Sequence, residues 1–122
     1  MKKNNKPVYW YSVCKTMEIA GGHKLTLPYK SKCRNLHGHN WLVRIWCGGK
    51  KLNKCGMVED FTLLKKKIHD RLDHKYLNDI FDFNPTAENI GRWMLEQVKT
   101  AYRVEIQEST GNVATVEKLM EA

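Results

Sequence analysis

No stretch of this 122-residue chain approaches the roughly 18 consecutive apolar residues that a membrane-spanning helix needs. The opening Met1-Lys-Lys-Asn-Asn-Lys6-Pro7 lacks the apolar core of a secretory signal, which predicts a cytoplasmic protein with no membrane partner. Proline occurs only three times and no internal repeat is found, excluding collagen-like and low-complexity architectures. No two of the four cysteines, Cys14, Cys33, Cys47 and Cys55, form a C-x-x-C pair. That argues against a four-cysteine zinc knot, and a cytosolic address predicts reduced thiols. Acidic residues are scarce: 13 Asp and Glu face 21 Lys and Arg, a net +8 that suits an anionic partner, either nucleic acid or a phosphorylated small molecule. Six of the basic residues fall in two short runs, 2–6 and 50–54, which read as a chain terminus and a solvated loop.

Apolar residues at 42% and twelve aromatics, in a chain of ordinary domain length, predict one globular domain over residues 8–122 behind a flexible segment over 1–7. Residues 8–20, rich in Val, Tyr, Trp and Thr, read as a strand, and residues 37–47 as a second, closed by Gly48-Gly49. Cys14 and Cys47 then read as strand residues packed in the core. Phe61, Leu64, Ile68 and Leu72 step by three and four, the stripe of an amphipathic helix capped by Asp60, with His69 on its lysine-rich, solvated flank. A second helix begins near Asn84-Pro85-Thr86, where proline is tolerated and Asn84 or Thr86 can cap, and buries Ala87, Ile90, Met94, Val98 and Ala101. Val104 and Ile106 alternate with Glu105 and Gln107 as a third strand, and Thr110-Gly111-Asn112 turns it into a fourth from 113 to about 119. The order β-β-α-α-β-β predicts an α+β fold, a four-stranded antiparallel sheet with two helices on one face. Its two open edges predict a homo-oligomer.

The chemistry concentrates at the histidines. In His37-Gly38-His39 the two rings on a strand point to one face from alpha carbons about 6.6 Å apart, near enough to share an ion. His23, at the end of the first strand, supplies a third nitrogen. Two histidines alone would read first as satisfied polar residues, but three neutral imidazoles make a catalytic zinc site with an open fourth position. Cys33, four residues before His37 and flanked by Lys32 and Arg34, reads as a thiolate able to abstract a proton, as a fourth ligand, or as an inert thiol. Asp73-His74 is a carboxylate–imidazole pair suited to proton transfer, though such pairs are also common on surfaces. Glu108 ends the apolar row of Val104 and Ile106 and needs a partner, either a guanidine-like edge on a ligand or a lysine or arginine of the protein.

Four pieces carry a resemblance: Cys33-Arg-Asn-Leu-His37-Gly38-His39, Gly56-Met57-Val58-Glu59-Asp60-Phe61, Arg71-Leu72-Asp73-His74-Lys-Tyr-Leu77-Asn78 and Asn84-Pro85-Thr86-Ala87-Glu88-Asn89, followed by Glu108. In this order they resemble the pterin synthases of the tunnelling fold, across residues 17–109. The resemblance implies that His23, His37 and His39 bind Zn2+, that Cys33, Asp73 and His74 form the proton-transfer machinery, that Glu108 anchors a pterin ring and that Thr86 lines its pocket. It also implies a hexamer of two trimers with active sites between subunits. In the family's pyruvoyl-forming branch five residues separate the cysteine from the first histidine of H-G-H, and in the carboxy-forming, queuosine-pathway branch three. This chain has three. The reaction so implied converts 7,8-dihydroneopterin triphosphate to 6-carboxy-5,6,7,8-tetrahydropterin with loss of triphosphate and acetaldehyde. Two departures stand out: Met17 to Gly22 replace the usual aromatic and alanine before the first ligand, and Ser109 follows Glu108 where threonine is common.

The pyruvoyl-forming reaction on the same substrate is the nearest rival, and a zinc-stabilised nucleic-acid-binding protein is a rival of another class. The latter predicts nucleic-acid affinity that falls steeply with salt and survives Cys33→Ala. The enzyme reading expects neither, and a filter-binding titration at two salt concentrations separates them.

Overall fold

The computed structural model describes residues 5–119. Strands β1 (Tyr11–His23) and β2 (His37–Gly49) pair antiparallel over their whole length, from Tyr11 opposite Gly49 to His23 opposite His37. A helical rod follows in three pieces: α1 (Phe61–Leu64), a π-helical turn over Lys65–His69, and α2 (Asp70–Leu72). Then come β3 (Lys75–Tyr76), α3 (Leu77–Ile80), α4 (Ala87–Gln97), β4 (Ala101–Ser109) and β5 (Asn112–Glu117). The sheet runs β3-β1-β2-β4-β5.

The α+β class and the tunnelling-fold order stand, with one correction. The sheet has five strands rather than four, and the extra one, β3, pairs parallel with β1 at Gly21 and Gly22. Two residues carry no periodicity, so this strand left no pattern in the sequence. The first strand also lies further along the chain than 8–20, ending on His23 itself. Residues 1–4 of the flexible segment expected over 1–7, the first lysines of the 2–6 run included, lie outside the described residues, as do residues 120–122 of the expected domain. No helix among the described residues is long and apolar enough to cross a membrane.

Both helix starts are capped as anticipated. The Asp60 carboxylate accepts from Thr62 N at 2.8 Å and the Thr86 hydroxyl from Asn89 N at 3.1 Å, each satisfying an amide the first turn leaves free. One face of the sheet carries the core, where Met17, Ile19, Trp41, Val43, Ile45, Val104 and Ile106 meet Leu64, Ile68, Leu72, Ile90 and Met94. Phe61 departs from the anticipated stripe and stands 45% exposed at the rod's start. On the other face, Cys14 is exposed rather than packed, because only alternate β1 residues face the helices. Trp46 likewise points away from the helices and carries the Arg103 guanidinium 5.2 Å from its ring.

Helix α4 lies close on the sheet because Gly91 faces it. A Cβ there would sit 3.0 Å from Val116 Cγ2 and 3.2 Å from Val104 Cγ1. Gly91→Leu is therefore expected to destabilise the fold by about 1–3 kcal/mol through overpacking, read as a lower midpoint in thermal or urea denaturation.

Candidate metal centre

Strand register builds this site. Antiparallel pairing sets His23 directly opposite His37 and Gly21 opposite His39, so three imidazoles gather where β1 and β2 meet. Their ring centroids lie 4.5 Å (His23–His37), 5.2 Å (His23–His39) and 4.7 Å (His37–His39) apart. Trp41 backs the cluster edge-on, 4.9 Å from His23 and 5.3 Å from His39, with its indole N–H donating to Gly21 O at 3.1 Å. Two carbonyls orient the rings. His23 Nδ1 lies 2.8 Å from Pro85 O and His37 Nδ1 lies 2.7 Å from Asn35 O. A carbonyl only accepts, so each ring donates at Nδ1 and, when neutral, presents a lone pair at Nε2.

Glu108 completes the set through a β-bulge. The β4–β5 register slips between Gln107 and Ser109, leaving Glu108 as the extra residue, and such a bulge re-aims a side chain. Its Oε1 lies 2.8 Å from His39 Nε2, 3.5 Å from His23 Nε2 and 4.0 Å from His37 Nε2. One donor atom from each of the four residues falls within 4.8 Å of the other three. Despite the short approach to Glu108, the buried Nε2 atoms of His23 and His39 have no hydrogen-bond partner. Unpartnered buried nitrogens aimed at a common point fit a cation better than a hydrogen-bonded cluster, and nitrogen ligands with one carboxylate suit zinc. Burial pushes the His23 imidazole below its ordinary 6.5, and the other two rings add to this against the opposing pull of Pro85 O and Glu108. The sequence left Glu108 with a ligand or a basic side chain as partner. The structure gives it the histidines, and no lysine or arginine pairs with it among the described residues.

Asp73 and His74 are stitched to the free edge of β1. Ala20 N donates to Asp73 Oδ1 at 2.9 Å, and His74 N donates to Ala20 O at 2.6 Å. The Ala20 N–H holds the Asp73 carboxyl below its ordinary range, with the His74 and His69 rings as further causes. His74 adopts φ 58°, and its ring is 81% exposed, with Nε2 3.7 Å from Asp73 Oδ2. An open cleft of about 690 Å³ runs between residues 20–22, 36–40 and 74–76, so His37, His39 and His74 share one wall. Lys75 and Tyr76 also line it; they fall inside the 71–78 piece, which gave them no role of their own.

Cys33 sits in a single 3-10 turn, Lys32–Arg34, whose cap Ser31 accepts from Cys33 N and whose Cys33 carbonyl accepts from Leu25 N at 2.7 Å. It is half-buried and outside the cluster of metal-type donors, which leaves Glu108 as the fourth donor there. The Thr86 hydroxyl caps α4, one residue beyond the carbonyl that orients His23. Sequence reasoning missed Trp41, although it lies two residues past His39 on the same strand face. It also took His69 for a solvated residue, whereas the ring is 22% exposed and faces two carboxylates.

The sheet, its backing helices and the convergent histidines define a tunnelling-fold enzyme. The family model for 6-pyruvoyl tetrahydropterin synthase matches residues 12–119, and the chain belongs to that family. It is similar to the 6-carboxy-5,6,7,8-tetrahydropterin synthase of Bacillus subtilis, 31% identical over 98 residues, covering 75% of this chain and 67% of that protein. A protein of the same name from Synechocystis is 31% identical over 116 residues, covering 84% and 89%. Among solved structures, the 6-pyruvoyl tetrahydropterin synthase of Caenorhabditis elegans superposes with a TM-score of 0.73 at 26% identity, covering 92% of this chain and 98% of that one.

Two outcomes follow from the cluster. His39→Ala is expected to weaken zinc binding by more than about 100-fold, beyond what loss of an outer partner costs, as measured by competition with a chromogenic chelator. In the metal-free protein the unfolded chain takes up a proton on His23 near 6.5, the folded protein only at lower pH. Unfolding free energy is therefore expected to fall as pH drops through 6.5, read from urea midpoints at pH 8 and pH 5.5, and His23→Gln should flatten that slope.

Proposed function

We propose that this enzyme is a zinc-dependent lyase converting 7,8-dihydroneopterin triphosphate and water to 6-carboxy-5,6,7,8-tetrahydropterin, acetaldehyde and triphosphate, a step of queuosine-type deazapurine synthesis. The convergence of three imidazoles, with the buried Nε2 atoms of His23 and His39 lacking partners and with His37 and His39 on the wall of a cleft shared with His74, carries the reading. The carboxy product is favoured by the three-residue spacing from Cys33 to His37 and by the similarity to the 6-carboxy-5,6,7,8-tetrahydropterin synthases of Bacillus and Synechocystis.

On this reading His23, His37 and His39 hold the metal, oriented by Pro85 O and Asn35 O. Bound zinc supplies Lewis-acid polarisation of the substrate's side-chain oxygens. Cys33, as thiolate, accepts a proton from the side chain held in the cleft. Ionised Asp73 holds the His74 ring, which moves protons during the carbon–carbon cleavage that frees acetaldehyde. Glu108, which stands outside the three-histidine ligand set on this reading and meets no lysine or arginine among the described residues, accepts from the two N–H groups of a pterin edge. It borders a second cavity of about 410 Å³ with Ala87 and Glu88 at the head of α4, next to Thr86, which we assign to the pterin pocket. The net +8 draws in the triphosphate. Two open sheet edges, β3 with the bare part of β1 on one side and β5 on the other, favour a homo-oligomer, taken as two stacked trimers. The exposed His74 then meets the Cys33 of a neighbouring copy.

Incubating the zinc-loaded protein with 7,8-dihydroneopterin triphosphate and weighing the products by mass spectrometry tests the assignment. Acetaldehyde and a carboxylated pterin are expected, with turnover lost in Cys33→Ala at unchanged zinc content. A pterin that keeps its three-carbon side chain would assign the protein to the pyruvoyl-forming branch instead. Loss of zinc in Cys33→Ala would make that thiol a ligand.

A further inference from the structure

We propose that His69 is a positioning residue for the Asp73–His74 pair, a cationic buttress on the far side of the Asp73 carboxylate. The inference rests on the proton-transfer role assigned to that pair above.

Three observations carry it. First, the Asp73 carboxylate lies between two imidazoles: Oδ2 is 3.7 Å from His74 Nε2 and 3.7 Å from His69 Nε2, while Oδ1 is held by Ala20 N. These are ion-pair distances, so His69 acts on Asp73 through charge and packing rather than through a hydrogen bond. Second, the other nitrogen of His69 is engaged. Nδ1 lies 3.0 Å from Asp70 Oδ1, and Asp70 is itself held by Lys65 Nζ at 2.8 Å. With a carboxylate on each side, a positive charge on the ring is attracted from both. Third, His69 ends the π-helical turn Lys65–His69, where Asp70 N reaches back to Lys65 O. Such wide turns insert one residue into a helix and recur at functional sites. The ring is 22% exposed against 81% for His74, so the buttress stays fixed while its partner faces the cleft.

The charge balance around His69 points the same way. Lys15 and Glu18 of β1 and Lys65 border the small cavity beside it, and Asp70, Asp73 and His74 complete its charged surroundings. A cation at His69 favours the ionised form of Asp73, the form that keeps the His74 ring oriented. It also opposes a proton resting on Asp73 when His74 is protonated.

The test uses the full-length, zinc-loaded protein with His69→Ala, His69→Lys, Asp70→Asn and, as control, Asp73→Asn. His69→Ala is expected to lower kcat roughly 10-fold with KM little changed, the scale of losing an outer partner. The acid limb of its pH–rate profile should move to higher pH. Asp73, followed by its carboxyl carbon resonance in 13C-labelled protein without substrate, should titrate at higher pH in His69→Ala and return toward the parent value in His69→Lys. Asp70→Asn, an exposed change that leaves the ring in place, should shift Asp73 in the same direction by less. An unchanged Asp73 titration and pH–rate profile in folded His69→Ala would overturn the proposal. Should His69→Ala fail to fold, an unmoved Asp73 in Asp70→Asn would overturn it. The Asp73 titration needs no turnover, so an inactive parent protein would sink the proposed reaction while this readout still decides the buttress. Full activity in Asp73→Asn would remove both.

Discussion

The antiparallel register of β1 on β2 is the constraint from which the rest of the site follows. Side chains alternate with a period of two along a strand, so a slip of one residue would turn His23 to the opposite face from His37 and His39. The register is held by what lies further along the same strands. Met17, Ile19, Val43 and Ile45 occupy the helix-covered face, and slipping them into water would forfeit most of the core. The hydrophobic core and the metal-type cluster are thus two ends of one pattern, and the cluster needs no folding device of its own.

A second device joins Asp73 and His74 to that frame. Ala20 has one edge committed to β2, and its free N–H and C=O capture the Asp73 carboxylate and the His74 amide. The chain can turn there because His74 takes a left-handed backbone, uncommon for a residue with a side chain and characteristic of constrained sites. Rod and strand are consequently locked together three residues from His23. The distance between the donor cluster and the Asp73–His74 pair is set by backbone hydrogen bonds, which move less than side chains.

Electrostatics divides the molecule by function. A buried histidine carries a charge only at cost, so His23 favours the neutral form, while Asp70, held by Lys65 and His69, favours the charged one. Glu108 stands at the boundary. Its bulge lets one carboxylate face both the histidines and the cavity at the head of α4, so the residue couples the donor set to the neighbouring pocket.

Read as sequence, the chain already determined the four longer strands, the two capped helices, the H-G-H pair with His23, and the Asp73-His74 motif, because each is written in a local period or a short spacing. Caps at Asp60 and Thr86 depend on a handful of neighbouring atoms, which is why they were legible. Much of what the tertiary structure alone decided lies across chain separations of fifty residues or more. The Pro85 carbonyl on His23, the Ala20 amide on Asp73 and the turning of Glu108 toward the histidines all arise from packing between distant elements. A two-residue strand such as β3 and the inward turn of His69 against Asp73 leave no periodic trace, since periodicity reports which face a residue occupies and not which atom it meets.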